Sequence, residues 1–454
     1  MDENLNMCKN VIILVVDALR KEILSRPFID KYQNISSLKN KSIEFKNAYS
    51  CTNMTDPSIT SLMTGKHPLS SGIIEHGRSL YDYKNEISLL TFLPSILKNH
   101  GYRTYAIDWL GRWHKTGFDF YSGIRDAKKS YKRKLISYIP HKIKYRIDNL
   151  YYSFFNKNRS MPYPDGSEQV EIACNILKKN KNNPFLLFIH FWDTHFPYNC
   201  KENNNVYFNN DLKNINLSYN FDKLSDITCR NFYKSYFKKF KFEGKTIKDI
   251  IISYYCSIKY VDVCLGKLIN TLINLNILND TIIFFLSDHG ESLGEHDIFF
   301  NHVGLYETNL NIPLLIYNNE YEPKNIKNEV LNIDITPTVI DMLNIKLKNK
   351  FDGISIVPFI KNKKNIEKKS LLFIEDSWYS GKRIGIKYYN YKYIKDYNEY
   401  SKCKYCNIRH LPEIELYDLN KDPNELNNIV DEKNILKNDL DQIINLKILQ
   451  HTSK

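Results

Sequence analysis

A carboxylate and an imidazole lie side by side at Asp288 and His289, directly after an apolar segment. That segment, Thr281-Ile-Ile-Phe-Phe-Leu286, is typical of a parallel strand buried on both faces. Open α/β sheets bind ligands at the carboxyl ends of their strands, so both side chains are predicted to lie at a binding edge. An oxygen ligand next to a nitrogen ligand indicates a site for a divalent cation.

A second carboxylate, Asp17, ends another apolar run, Val11-Ile-Ile-Leu-Val-Val16. Because this run also predicts a buried strand, we expect Asp17, Asp288 and His289 to meet at one edge of a sheet. The alternative is that Asp17 only caps the helix that follows its strand, as carboxylates often do.

The third segment of interest, residues 55–65, contains a hydroxyl group that could act as a nucleophile. It resembles the signature of the sulfatase family of the alkaline phosphatase superfamily, which reads Cys or Ser, any residue, Pro-Ser-Arg, two residues, Leu, one residue, Thr-Gly. Thr55 stands at the position of the family's nucleophile, and Ile59 stands where the family has Arg. The residues that fit the signature are Pro57, Ser58, Leu62, Thr64 and Gly65.

Thr55 changes the chemistry that this resemblance implies. Threonine cannot be converted to formylglycine, so we expect none in this chain. A hydroxyl at a helix amino terminus becomes nucleophilic when a divalent cation lowers its pKa. Family members with a Thr nucleophile act largely on phosphorus esters, and the resemblance therefore implies cleavage of a phosphate or phosphonate ester. The alternative is that Thr55 is an ordinary N-cap.

The resemblance also implies catalytic roles for two histidines. The segment Phe185–Tyr198 is similar to a family strand that ends in a His-x-Pro turn, which implies that His195 donates a hydrogen bond to the substrate or leaving group. His302 lies near the position where many sulfatases have Lys. A protonated imidazole there would neutralise charge on the transferring group or protonate the departing oxygen. A surface-loop position is the alternative for His302.

Two substrate-binding residues follow from a segment that resembles the family's Gly-Lys-Trp-His motif. Here it reads Gly111-Arg-Trp-His114, so Arg112 and His114 are the predicted substrate contacts. A guanidinium group is well suited to binding a tetrahedral oxyanion.

The implied metal site comprises Asp17, Thr55, Asp288 and His289. We expect one divalent metal ion, which could be calcium, magnesium, manganese or zinc. A second ion would need ligands such as His190, Asp193 and His195, but His190 is predicted to be a core histidine inside its strand.

The chain has 454 residues and a net charge of +13. Basic and aromatic residues concentrate at 128–157 and 231–241, in two predicted insertions near residues 124–165 and 200–245. We interpret them as solvated surface, with binding to an anionic lipid surface or glycan as the alternative. The expected partner is an anionic phosphate or sulfate ester, on a glycan or lipid headgroup. Peripheral membrane contact is an alternative, and no specific nucleic acid is expected.

Nine cysteines show no paired secretory spacing, and Cys403 and Cys406 form the one close pair. A single Cys-x-x-Cys is weak evidence for zinc. No export signal is recognisable, because residues 1–10 are polar and the first apolar run is too short to span a bilayer. We therefore predict reduced thiols and a cytoplasmic location.

Alternation of apolar runs with helical patterns predicts an α/β fold. We expect a large, mostly parallel sheet sandwiched by helices, as in alkaline phosphatase, and a small C-terminal antiparallel sheet with one helix. The predicted domains are a catalytic domain at 1–362 and an α+β domain at 363–454. The predicted strands are 11–16, 104–107, 185–191, 282–286, 370–374, 382–386 and 391–394, and the predicted helices are near 58–64, 89–97, 167–178, 247–275 and 433–446.

Taken together, these features predict a metal-dependent ester hydrolase or transferase that uses Thr55. Three alternatives remain: a sulfuric ester hydrolase, a phosphoethanolamine- or phosphoglycerol-type transferase for surface glycans, and a non-catalytic member of the fold that binds polyanions.

Overall fold

Residues 10–122, 165–200, 246–348, 350–362, 370–397, 401–404 and 406–453 are described by the computed structural model. Apart from Asp165 and Cys200, the two predicted basic insertions lie outside these ranges. Within them the strands are β1 Asn10–Val16, β2 Ile43–Tyr49, β3 Arg103–Ile107, β4 Phe120–Tyr121, β5 Phe185–Phe191, β6 Thr281–Leu286, β7 Ser292–Leu293, β8 Phe299–Asn301, β9 Asn311–Ile312, β10 Leu314–Tyr317, β11 Lys324–Leu331, β12 Ser370–Ser377, β13 Gly381–Tyr388, β14 Tyr391–Asp396 and β15 Ile414–Asp418.

The helices vary widely in length. They are α1 Gln33–Asn40, α2 Thr55–Thr64, α3 Pro68–Ser71, α4 Lys84–Ser88, α5 Leu93–Asn99, α6 Gly166–Asn180, α7 Ile247–Asn274, α8 Glu307–Leu310, α9 Ile335–Met342, α10 Val357–Ile360 and α11 Asn434–Thr452. Short 3-10 helices occupy Lys21–Leu24, Ile29–Lys31, Arg112–Lys115, Glu295–Asp297 and Asn332–Asp334. None of these described helices is both long enough and apolar enough to span a bilayer.

The large sheet has nine described strands in the order β11-β2-β10-β6-β1-β5-β3-β4, with β9 paired to β2. β1 runs parallel to both β5 and β6, whereas β10 is antiparallel to β6. The prediction of a mostly parallel sheet is therefore confirmed. Because β1 and β6 are neighbours with the same direction, their carboxyl ends bring Asp17 and Asp288 to one edge.

Both faces of this sheet are covered, which explains why the central strands are apolar throughout. Along β1, Ile12 and Leu14 face one buried cluster and Val11 and Ile13 face the other. Helices α1, α6 and α7 contribute to the first cluster, and α2, α5 and α9 contribute to the second. Burial of each large aliphatic side chain stabilises the fold by about 1.5–3 kcal/mol.

A second, antiparallel sheet has the order β12-β13-β14-β15. Leu440 and Ile444 of α11 pack against this sheet, in a cluster with Ile384 and Leu416. The predicted small sheet with one helix is confirmed, and α11 extends six residues beyond the predicted end at 446. The predicted boundary between residues 362 and 363 adjoins residues outside the described ranges and stays a prediction.

One expectation about the cysteines is wrong. Cys200 and Cys256 form a disulfide, which joins the segment after β5 to helix α7. The sequence gives no local signal for this pair because its members are 56 residues apart. The thiols of Cys51, Cys174 and Cys264 are buried and not disulfide-bonded. The predicted cytoplasmic location rested partly on reduced thiols. Because one pair of cysteines is oxidised, that argument no longer supports the location, which stays a prediction.

Candidate metal and nucleophile site

Three elements converge at the carboxyl edge of the large sheet. Asp17 follows β1, Asp288 and His289 follow β6, and Thr55 begins α2. One ligand atom from each of Asp17, Asp288 and His289 lies within 4.8 Å of the others, and all three residues are buried. The hydroxyl oxygen of Thr55 lies 3.1 Å from Nε2 of His289. Four predicted metal-site residues are thus brought together.

Hydrogen bonds fix the segments that carry these side chains. The hydroxyl of Ser58, in the first turn of α2, donates to the carbonyl oxygen of Asp288 over 2.7 Å. Oδ1 of Asp288 accepts the backbone N–H groups of Ala18 and His289, at 3.2 and 2.9 Å. Each of the three converging elements is therefore tied to at least one of the others.

The carboxylates fit a cation site because they carry buried oxygen atoms without hydrogen bonds from any described residue. These atoms are both side-chain oxygens of Asp17 and Oδ2 of Asp288. Leaving such atoms unsatisfied costs free energy unless a positive charge compensates them. Oδ2 of Asp288 also lies 3.1 Å from Nε2 of His289, which is close enough for both to bind one ion.

The pKa values of the two carboxyl groups differ in direction. Burial would raise the pKa of Asp17, but the nearby imidazoles of His195, His190 and His289 lower it below its ordinary value. Burial and the charge of Asp17 raise the pKa of Asp288. The repulsion between two buried carboxylates is the electrostatic problem that a divalent cation would solve.

Thr55 is not an N-cap. It is the first residue of α2, whose N-cap is Met54 with no side-chain capping bond. The Thr55 side chain is therefore available to the edge of the sheet. Asp17 likewise does not cap a helix, since neither of its side-chain oxygens accepts a backbone N–H among the described residues.

His195 and His302 lie beside the metal-site residues. The ring of His302 is 4.0 Å from that of His289 and 5.8 Å from that of His195, measured between centroids. Burial and the neighbouring imidazoles hold the pKa of His302 well below its ordinary value. This direction favours a neutral His302, which can still donate one hydrogen bond, and the protonated imidazole beside a bound substrate stays a prediction.

Arg112 and His114 lie against the first turn of α2, but Arg112 differs from its predicted role. Its guanidinium group forms a buried ion pair with Asp56 and donates to the carbonyl oxygen of Arg78 over 2.8 Å. These two nitrogens are therefore used by protein acceptors instead of a substrate oxyanion. Nε2 of His114 lies 3.3 Å from the carbonyl oxygen of Asp56.

Asp56 was missed by sequence reasoning, although it lies next to the predicted nucleophile. Its Oδ2 accepts the backbone N–H of Gly77 over 2.7 Å and lies 3.3 Å from Nδ1 of His76. Burial opposes its ionisation, but His76, Arg112 and His114 together hold the pKa of Asp56 well below its ordinary value. Asp56 thus ties two surrounding loops to the start of α2.

Asp108 was also missed, because its role depends on His190. Nδ1 of His190 lies 2.9 Å from Oδ1 of Asp108, and Nε2 lies 3.4 Å from Oδ2 of Asp17. His190 is fully buried, as expected for a core histidine, and despite burial its two carboxylate partners raise its pKa to about 10. Among the described residues, Asp193 does not join His190 and His195 in a second metal cluster.

The comparisons with known proteins agree with this geometry. A family model described as Sulfatase matches residues 9–345, and one described as N-sulphoglucosamine sulphohydrolase, C-terminal, matches residues 294–452. Among curated relatives, arylsulfatase K of Canis lupus familiaris is 27% identical over 447 residues, which cover 92% of this chain and 78% of the relative.

Solved structures share the fold at lower identity. The phosphonate monoester hydrolase of Agrobacterium radiobacter has a TM-score of 0.71 and 17% identity, with coverage of 98% of this chain and 96% of that one. The protein BT4656, solved in complex with its substrate D-glucosamine-2-N,6-O-disulfate, has a TM-score of 0.69 and 19% identity, with 98% coverage of both chains. The alkaline phosphatase-like fold is therefore confirmed.

Proposed function

Because the chain belongs to the sulfatase family and is an ester-bond hydrolase, we propose that it cleaves a phosphate or phosphonate ester with Thr55 as nucleophile. The observation that carries this proposal is the hydroxyl of Thr55 at the start of α2, 3.1 Å from His289. Asp17, Asp288 and His289 would hold one divalent metal ion with Thr55. When bound, such an ion compensates the carboxylates and lowers the pKa of a coordinated hydroxyl.

In the proposed reaction, Thr55 is the nucleophile, and His195 and His302 act at the leaving group. The hydroxyl of Thr55 loses its proton to water, its oxygen attacks phosphorus in line, and the bond from phosphorus to the ester oxygen breaks as the new bond forms. The departing oxygen takes its proton from a water molecule that His195 or His302 positions by a hydrogen bond. Water then cleaves the phosphothreonine and restores the hydroxyl.

The substrate of this proposal is an anionic ester carried by a glycan or a lipid headgroup. A phosphonate monoester hydrolase among the structural neighbours supports phosphorus chemistry on this fold. The second candidate is sulfate ester hydrolysis, which is favoured by the similarity to arylsulfatase K. Thr55 argues against it, since formylglycine requires Cys or Ser at this position.

The experiment compares aryl esters of one phenol: a phosphate monoester, a phosphate diester, a phosphonate monoester and a sulfate monoester. We expect the highest kcat/KM with a phosphorus ester and loss of about a thousandfold or more in Thr55→Ala. Thr55→Ser keeps a hydroxyl and should retain part of the activity. Acid-quenched turnover should leave phosphorus on the peptide that contains Thr55.

Three outcomes would contradict the proposal. Turnover of the sulfate ester alone would reject the phosphorus substrate. Full activity in Thr55→Ala would reject the nucleophile. Release of phosphorus mainly to an added alcohol or sugar acceptor would identify a transferase.

A further inference from the structure

A second cluster of metal-ligand side chains lies outside the site described above. It comprises Cys403, Cys406 and His410, in the segment between β14 and β15. One ligand atom from each lies within 4.8 Å of the others, and Sγ of Cys406 is 3.0 Å from Nε2 of His410. We propose that these three side chains bind a Zn²⁺ ion, with a water molecule as the fourth ligand.

The ligand types select zinc over the cations suited to the first site. Two thiolates and one imidazole are soft to borderline donors, whereas Asp17, Asp288 and Thr55 offer oxygen atoms. Thiolate sulfur and imidazole nitrogen atoms bound to one tetrahedral zinc ion lie about 3.5–3.8 Å apart. The distance between Cys406 and His410 therefore has to widen by only about 0.5 Å when the ion binds.

Backbone hydrogen bonds already fold this segment into a loop. The N–H of Asn407 donates to the carbonyl oxygen of Cys403 over 2.9 Å. The N–H of Cys403 donates to the carbonyl oxygen of Ile408 over 3.0 Å. Asn407 has φ 58°, the left-handed conformation that Asn tolerates better than most residues. This turn brings the two cysteines, three positions apart, to the same side.

The imidazole of His410 is held in a fixed orientation by a neighbouring ring. It stacks on Tyr379 with centroids 4.5 Å apart, and such outer contacts fix the direction of a metal-binding imidazole.

The position of this loop indicates what the ion would stabilise. Lys404 lies between the two cysteines in the sequence, and its Nζ is 3.4 Å from carboxylate oxygens of both Glu75 and Asp376. Glu75 adjoins His76, the residue that faces Asp56 beside Thr55. A zinc ion would hold this loop against the segment that borders the catalytic edge, without contributing to the reaction itself.

The test is metal analysis of the full chain, purified with a phosphine reductant and without chelator. We expect about one zinc per chain at this cluster in the wild type, in addition to any zinc bound at the first site. This one equivalent should be lost in Cys403→Ser/Cys406→Ser and in His410→Gln. Cys174→Ser and Cys264→Ser are matched controls, because these cysteines are buried elsewhere. Asp288→Asn should lose metal from the first site and keep this zinc.

Cobalt replacement tests the proposal even if a cysteine variant fails to fold. The first site contains no thiol, so a thiolate-to-cobalt charge-transfer band that the wild type shows and His410→Gln loses would report this cluster. Cobalt-loaded protein without that band would overturn the proposal. Equal zinc content in the double cysteine variant, or a disulfide between Cys403 and Cys406 in the native protein, would also overturn it.

Discussion

At the scale of single residues, the catalytic edge concentrates buried charges. Asp17 and Asp288 are fully buried, and three of their four side-chain oxygens accept no hydrogen bond from described residues. His190, 3.4 Å from Asp17, offsets part of this negative charge, but burial and repulsion by Asp17 still raise the pKa of Asp288. Binding of a metal ion and stability of the protein should therefore be linked.

This linkage predicts opposite effects of Asp288→Asn on the two forms of the protein. Removing one of the two repelling charges should raise the melting temperature of the metal-free protein by a few degrees. The same change should abolish the stabilisation by added metal, which reaches about 2.7 kcal/mol at a concentration one hundred times Kd. Thermal unfolding with and without each divalent cation measures both effects.

Asp30→Asn is the control for this prediction, because Asp30 is exposed and forms a surface ion pair with Arg26. It should change stability by less than about 0.5 kcal/mol in either form. An Asp288→Asn variant that is still stabilised by metal as strongly as the wild type would contradict the assignment of Asp288 as a ligand.

The sequence predicts some site residues well and others not at all. Asp17 and Asp288 were found because they stand at the carboxyl ends of apolar runs, Asp17 directly after its run and Asp288 after one intervening serine. In a parallel sheet that position lies at the ligand-binding edge. Thr55 was found only through a family resemblance. Asp56 and His76 were missed, since their contact depends on how two loops fold over α2, and no spacing in the sequence encodes it.

At the scale of elements, α2 positions Thr55 at one end and stops sharply at the other. Gly65 follows its last residue with φ 65°, in the left-handed region that strains any residue with a Cβ. A Cβ added there would lie 2.8 Å from Cδ1 of Phe351. The end of this helix therefore depends on glycine for two reasons, its backbone conformation and its close neighbour.

Gly65→Ala should consequently destabilise the protein by about 2–3 kcal/mol, the sum of backbone strain and crowding. Gly101→Ala is a matched control, because Gly101 has φ 86° but no atom within 4 Å of an added Cβ. It should cost only the backbone term, about 1 kcal/mol. Melting temperatures of both variants give the comparison, and equal decreases would show that Phe351 accommodates the methyl group.

Elements were predictable where their burial is uniform. β1, β5 and β6 are buried at every position, and the resulting apolar runs predict these strands from the sequence. β2 was missed because it contains charged residues: Glu44 is buried in it and pairs with Lys46 over 2.7 Å. An ion pair can replace apolar packing in a strand, and the sequence pattern does not show which charges will be paired.

At the scale of the whole molecule, the two sheets are joined close to the catalytic edge. Nδ2 of Asn53, two residues before Thr55, donates to Oε2 of Glu375 in β12 over 2.8 Å. His67 makes another connection, because its Nε2–H donates to the carbonyl oxygen of Leu372 over 3.1 Å. Its Nδ1 accepts the N–H of Leu69 over 3.3 Å and so caps α3.

The buried position of His67 predicts a loss of stability in acid. Burial and the adjacent His451 lower the pKa of His67 from 6.5 to about 3. As the pH falls below 6.5, the unfolded chain binds a proton that the folded chain does not. The free energy of unfolding should therefore decrease by up to about 1.4 kcal/mol per pH unit from this residue, down to its folded pKa.

His67→Asn isolates this contribution, since Asn keeps a capping acceptor and does not titrate. Urea unfolding between neutral pH and about pH 4 should show a shallower decrease in stability for the variant than for the wild type. Parallel curves for the two proteins would contradict the prediction, because every other group is common to both.

The disulfide between Cys200 and Cys256 would hide proteolytic cleavage of the chain between these two residues. A peptide bond cut anywhere between the two cysteines leaves two polypeptides that are still one covalent molecule. Without a reductant, the cleaved protein would have almost the same mass as the intact protein and would run as one species in electrophoresis. A reductant would separate it into two fragments. The basic segment at 231–241 lies inside this closed ring, so its proteolysis would leave the strands on either side tethered to each other.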